Sequence, residues 1–206
     1  MVHLKAEHSI TPDEALEKLI QGNKRFLKGF DAPDSFRYQD ASTHKSQHPY
    51  ACILGCADSR VSPEHTFDES HGNLFVTRVA GNFVTPEIVA SLEYGTSVLG
   101  AAIIMVLGHS GCGAVHATID AVSANAMFDG QIGQIIKSIE PAVIASRHAH
   151  PDTWMENAVE QNVRHNVKAL RQSEPVLGGL IRAGKLKIAG GIYNLSTGEV
   201  QILADL

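Results

Sequence analysis

From residue 50 onward, short and mostly apolar runs alternate with longer stretches in which apolar residues recur every three or four positions. The runs are residues 50–55, 74–80, 101–108 and 187–193. Continuous apolarity over so few residues marks strands buried on both faces, as in a parallel sheet. Helical spacing fills the gaps. Thr11-Pro12-Asp13-Glu14 combines a capping Thr, a Pro at the first helical position and a Glu three residues after the cap. It predicts a helix to about Lys28 that aligns Leu16, Leu19, Ile20 and Phe26. Thr85-Pro86-Glu87 opens a second helix through Ile88, Leu92 and Leu99. Thr153-Trp154-Met155-Glu156 reads as another capping box, ahead of Val159, Val163, Val167 and Leu170. Residues 173–183 predict a short helix closed by Gly184. Ser196-Thr197-Gly198 predicts a hairpin turn that lays 200–203 antiparallel to the fourth strand.

The predicted fold class is α/β. It has a central, mostly parallel sheet of about four strands plus an antiparallel edge strand, covered by helices, with an N-terminal helical arm. Residues 29–48 are polar and aperiodic, which is unusual for so long a stretch inside a compact domain. Residues 1–48 are therefore expected to form an arm that packs on a partner subunit. Residues 49–206 are expected to form the α/β domain that carries the chemistry, within one domain overall.

Composition narrows the possibilities. A chain of 206 residues with 44% hydrophobic residues and a net charge of −5 can bury one core and lacks the basic stripe of a nucleic-acid binder. No apolar run approaches the ~20 residues that cross a bilayer, so no membrane association is expected. The polar start has no apolar signal core, and a cytoplasmic location is expected. Three cysteines cannot close a disulfide framework, and sparse cysteines in a reducing compartment serve as ligands, nucleophiles or core residues.

Two of those cysteines stand where chemistry collects. Cys56-Ala57-Asp58-Ser59-Arg60 follows the first apolar run, and His109-Ser110-Gly111-Cys112-Gly113 follows the third. Ligands in open α/β sheets gather beyond the carboxyl ends of strands, so neighbouring strands would bring the two motifs to one rim. Two thiolates and one imidazole suit Zn²⁺ and leave a fourth position for reaction. Cys112, at the start of the next helix, would have its thiolate favoured there. Cys52 cannot join them, because four residues of strand span about 13 Å while Zn–S bonds are about 2.3 Å. A phosphate loop at residues 108–113 would need a following Lys-Ser/Thr, which is missing.

Cys-x-Asp-Ser-Arg with His-x-x-Cys-Gly resembles the β-class carbonic anhydrases, as do Arg78-Val79-Ala80-Gly81-Asn82 and Ser91-Leu92-Glu93-Tyr94. The resemblance implies reversible hydration of CO₂ to bicarbonate and a proton, with Zn²⁺ held by Cys56, His109 and Cys112. It implies that zinc-bound hydroxide attacks CO₂, that Asp58 orients this hydroxide, and that Arg60 keeps Asp58 ionised and off the metal. With two anionic thiolates on the metal, activity should rise on the alkaline side. In a closed state Asp58 would itself become the fourth ligand. Gln47 would reach substrate from a neighbouring subunit, Phe75 would wall the CO₂ pocket, and the Gly113 amide would orient bicarbonate. A homodimer is the minimal unit implied, with tetramers or larger assemblies also found in the family. Members with a regulatory bicarbonate site carry a Trp three residues before the first Cys ligand. Ile53 stands there, beside matching Arg78 and Tyr193, so no cooperative closure by bicarbonate is expected. Two other functions fit the motifs. Hydrolysis of COS or CS₂ on the same centre would be told apart by comparing turnover of CO₂ and COS. A closed, non-catalytic zinc module would show no exchangeable water and no hydration.

Overall fold

The structure, a computed structural model, describes residues 9–29, 47–124, 126–147 and 151–204. Its strands are β1 (Ala51–Gly55), β2 (Leu74–Arg78), β3 (Ile103–His109), β4 (Lys187–Tyr193) and β5 (Val200–Ile202). They form one sheet in the order β2-β1-β3-β4-β5, parallel except for β5, which pairs antiparallel with β4. The helices are α1 (Pro12–Leu27), α2 (Pro63–Thr66), α3 (Pro86–Glu93), α4 (Gly113–Ala124), α5 (Ile132–Ser146), α6 (Trp154–Arg171) and α7 (Val176–Arg182). The chain is thus α/β with a mostly parallel sheet and an antiparallel edge.

Every residue of β1 and β3 is buried, because both strands are central and covered on both faces. Alternate residues serve opposite layers. Ile53, Ile103, Met105 and Leu107 face a core with Ala15, Leu19 and Phe67. Cys52, Leu54, Ile104 and Val106 face Leu92, Val163, Val167, Leu170 and Leu177. Cys52 is a core thiol pressed between β1 and a π-helical turn at Tyr94–Val98, where a Cβ on Gly95 would lie 2.5 Å from its sulfur.

The first helix starts as its residues dictate: Thr11 Oγ1 accepts from Glu14 N at 3.3 Å and Glu14 Oε2 accepts from Thr11 N at 2.7 Å. Its buried side, including Ala15 and Leu19, packs on this chain's own sheet. Asn23 ties it further by donating to Thr66 O at 3.0 Å and Gly198 O at 2.9 Å. The rest of the expected arm, residues 30–46, lies outside the described residues.

Three elements differ from the sequence-based expectation. The Thr153 capping box does not form, because a 3₁₀ turn at Pro151–Thr153 runs straight into α6. The Thr153 hydroxyl and carbonyl instead accept from Asn157 Nδ2 at 3.0 and 2.7 Å. Helix α7 begins only at Val176, since Pro175 biases the preceding residue away from helical geometry. Helix α5 was not expected at all, and it accommodates Pro141 in its interior.

Candidate metal centre

Because β1 and β3 are parallel neighbours, their carboxyl ends deliver Cys56 and His109 side by side. Cys112 joins them just before α4, where its sulfur faces the free Ala114 and Val115 N–H groups of the first turn. The Cys56, His109 and Cys112 donor atoms all lie within 4.8 Å of one another, and all three residues are buried. The two sulfurs are 3.9 Å apart. Two Zn–S bonds of about 2.3 Å at a tetrahedral angle would separate them by about 3.8 Å, so the spacing fits that ion.

The imidazole is fixed in orientation as well. Its Nδ1–H donates to Ser110 O at 3.0 Å, since a carbonyl can only accept. Nε2 therefore carries a lone pair, and this atom is fully buried without a hydrogen-bond partner. A second support locks the loop, with Ser110 Oγ accepting from Leu195 N at 2.9 Å.

Without an ion the thiols share a proton. The Cys112 hydrogen bond, the adjacent imidazole and the Gly81 and Asp58 N–H groups outweigh burial and draw Cys56 down to about 4. The hydrogen bond to Cys56, burial and the Cys56 charge push Cys112 well above the ordinary thiol range. For His109, burial opposes protonation, but the Cys56 thiolate outweighs it and the net displacement is upward. A divalent cation would take the place of that proton and let both sulfurs carry charge. The donor set, its spacing and the orphaned Nε2 all fit Zn²⁺ held by these three side chains.

Asp58 and Arg60 stand beside the trio. Asp58 Oδ1 accepts from Arg60 N and Nε, each at 2.9 Å, and Oδ2 accepts from Arg60 Nη2 at 2.7 Å. This fork, with the guanidinium as its largest cause, holds the Asp58 carboxyl well below the usual range. Oδ2 lies 3.9 Å from His109 Nε2, at the margin of the donor cluster. Gly113 is the exposed first residue of α4.

Gln47 and Phe75 lie elsewhere in the chain. Gln47 is exposed and precedes β1, whose five residues span about 17 Å before Cys56. Phe75 pairs in register with Cys52, about 13 Å along the strand from Cys56, and its ring centroid is 6.2 Å from that of Tyr94. Sequence reasoning did not find the backbone supports of the first cysteine. Gly81 N donates to Cys56 Sγ at 3.2 Å, and Arg78 donates to Cys56 O at 2.8 Å and Asp58 O at 2.6 Å. The available signal was that Arg78 ends the strand paired with β1 and Gly81 lies in the loop just after it.

A model of the carbonic anhydrase family matches residues 51–200. The carbonic anhydrase of Mycolicibacterium smegmatis is 33% identical over 196 residues, 95% of each chain. A Coccomyxa β-carbonic anhydrase, solved in complex with acetazolamide, superposes with a TM-score of 0.71 at 29% identity, covering 91% of this chain and 86% of that one. A β-carbonic anhydrase from Sordaria macrospora, described as tetrameric, shares the fold with a TM-score of 0.72 at 21% identity, over 79% and 84% of the two chains.

Proposed function

The chain belongs to the β-class carbonic anhydrase family, and from that premise we propose that it catalyses CO₂ + H₂O ⇌ HCO₃⁻ + H⁺ at a zinc site built from Cys56, His109 and Cys112. The observation that carries this reading is the buried, unpartnered His109 Nε2 facing two sulfurs 3.9 Å apart. Zn²⁺ held there would supply Lewis-acid activation of water at near-neutral pH.

The chain's own groups do the rest. Asp58, kept ionised by Arg60, can only accept hydrogen bonds. Arg60 occupies one accepting position on Oδ2 and two on Oδ1, which leaves Oδ2 capacity on the side of the trio. An acceptor-only group there captures the hydrogen of the attacking hydroxyl and turns its free lone pair toward CO₂. The same fork keeps Asp58 off the metal, so its service as a fourth ligand requires Arg60 to let go. The N–H of Gly113, unpaired within its helix, would donate a hydrogen bond to a bicarbonate oxygen.

Gln47 and Phe75 enter this reading through a second copy of the chain. Their distance from Cys56 along β1 and β2 supports contribution across an interface, with Phe75 beside the half-exposed Tyr94. The assembly is a homodimer or a larger homo-oligomer, in keeping with the tetramers described for the Sordaria relatives. Among the described residues no helix is long and apolar enough to cross a membrane. We assign the enzyme to the cytoplasm, where thiol ligands stay reduced, and all three cysteines are free.

Metal analysis together with stopped-flow CO₂ hydration tests the reading on the native chain, Cys56→Ser and Asp58→Asn. We expect one zinc per native chain and a rate that rises from mildly acidic to alkaline pH. We expect no zinc and no rate in Cys56→Ser, and zinc with little rate in Asp58→Asn. A folded, metal-free native protein that hydrates CO₂ at full speed would overturn it.

A further inference from the structure

Helix α6 buries two amides one turn apart, Asn162 and Asn166, which are 1% and 2% exposed. Their orientations are forced by partners that have only one role. Val84 N–H can only donate, so Asn166 Oδ1 faces it at 2.8 Å. Asn166 Nδ2 then donates to the Asn162 carbonyl at 2.7 Å and to Asn162 Oδ1 at 3.1 Å. Asn162 Nδ2 is left to donate to Gly81 O at 2.8 Å. The pair thus grips residues 81–84 at both ends. Gly81 in turn points its N–H at Cys56 Sγ, 3.2 Å away. That residue sits at φ +85°, and a Cβ there would lie 2.4 Å from Ile139 Cδ1, so the loop is fitted to one conformation. Asn is a poor helix former and costly to bury, and apolar residues would fill the same space more cheaply.

We propose that Asn162, oriented by Asn166, is a positioning residue for the metal centre. It fixes the loop so that the Gly81 N–H donates to the Cys56 thiolate and holds that sulfur in its metal-binding direction. The inference rests on Cys56 being a metal ligand, as proposed above. An N–H···S bond also withdraws electron density from the sulfur, which gives the clamp a spectroscopic signature.

The test compares Asn162→Ala and Asn166→Ala with Asn157→Ala, a half-buried amide on the same helix that donates only to Thr153. Zinc release is followed with a chromophoric chelator, and the thiolate-to-metal absorption band is recorded on cobalt-loaded protein. Losing the clamp should speed zinc release at least about tenfold, as loss of a ligand's supporting partner usually does. It should also move the cobalt band to lower energy, because the sulfur becomes more electron-rich. Asn166→Ala should shift both in the same direction by less, and Asn157→Ala should shift neither. A folded Asn162→Ala with native release and a native band overturns the proposal. The native protein loaded with NMR-active cadmium gives a check that needs no variant: the Gly81 amide proton should couple to the metal across its hydrogen bond, and no coupling overturns the proposal. If the native chain takes up no metal, the metal reading itself fails. If it does and the amide variants hold metal like the native chain, only the clamp is wrong.

Discussion

At the end of the sheet where β1 and β2 begin, Glu69 is 3% exposed and both its carboxylate oxygens are engaged. Tyr50 donates to it at 2.8 Å and Asn73 at 2.7 Å, and Lys18 approaches to 3.9 Å while lying over the Tyr50 ring. At the opposite end, His109 is more deeply buried, yet its Nε2 finds no partner, and two thiols crowd together at 3.9 Å. Asn82 Nδ2, in the loop after β2 at that same rim, is the other buried side-chain atom without a partner among the described residues. Burying a polar group is costly unless a hydrogen bond replaces water. One end meets that cost within the chain and ties α1 to the body of the protein. The other leaves it unmet among the described residues, as the proposed metal site would. Closed polar clusters read as structure, and open ones read as sites.

The largest effect expected from this contrast is at the open end. His109→Ala should abolish zinc binding by metal analysis and reduce CO₂ hydration to background while the chain stays folded. Asp58→Asn removes a charged acceptor that orients the reactants, and should lower kcat by about 10²-fold or more with zinc retained. Its thermal unfolding midpoint should hardly change, because Arg60 is largely exposed and surface pairs contribute little. If Asp58→Asn instead kept full kcat, the carboxylate would be only an ion-pair partner.

The closed end should behave in the opposite way. Glu69→Ala strands the Tyr50 hydroxyl and the Asn73 amide, and should cost about 2–4 kcal/mol in chemical denaturation. It should leave zinc affinity and kcat near native values. A loss of activity without a loss of stability would erase the distinction between the two ends.

How much of this was readable beforehand follows the range of each interaction. The central strands were legible because burial on both faces makes them apolar throughout, and α1 because its cap lies within four residues. Asp58 and Arg60 are two residues apart, so their pairing needs no tertiary knowledge. The convergence of Cys56 with His109 and Cys112 required one topological step, that β1 and β3 be neighbours. Helix α5 was missed although Ile132, Ile135, Ile136, Ile139 and Val143 have helical spacing. Pro141 reads as a breaker, and Gln131 at the start makes no side-chain cap. The supports from Gly81, Asn162 and Asn166 were invisible for another reason: the contact between Asn162 and Gly81 spans 81 positions, and nothing local marks it.

The most gradual expected effect is the pH dependence of metal affinity. The hydrogen bond between the two thiols draws Cys56 down and, with burial, pushes Cys112 up, so the metal-free pair holds a proton at neutral pH. Metal uptake must therefore displace a proton, and acid restores it. Zinc affinity should rise with pH by about tenfold per unit for each proton displaced, measured by chelator competition between about pH 6 and about pH 8. A flat profile would mean that the thiols are not the ligands.

The central claim, that the open end is completed by a zinc ion on two sulfurs and one imidazole, is tested most directly by zinc-edge X-ray absorption on the purified protein. The account predicts two sulfur neighbours at about 2.3 Å and two light-atom neighbours at about 2.0–2.1 Å, with the same spectrum in Asp58→Asn. A zinc shell without two sulfurs, or no bound zinc in an active preparation, would contradict it.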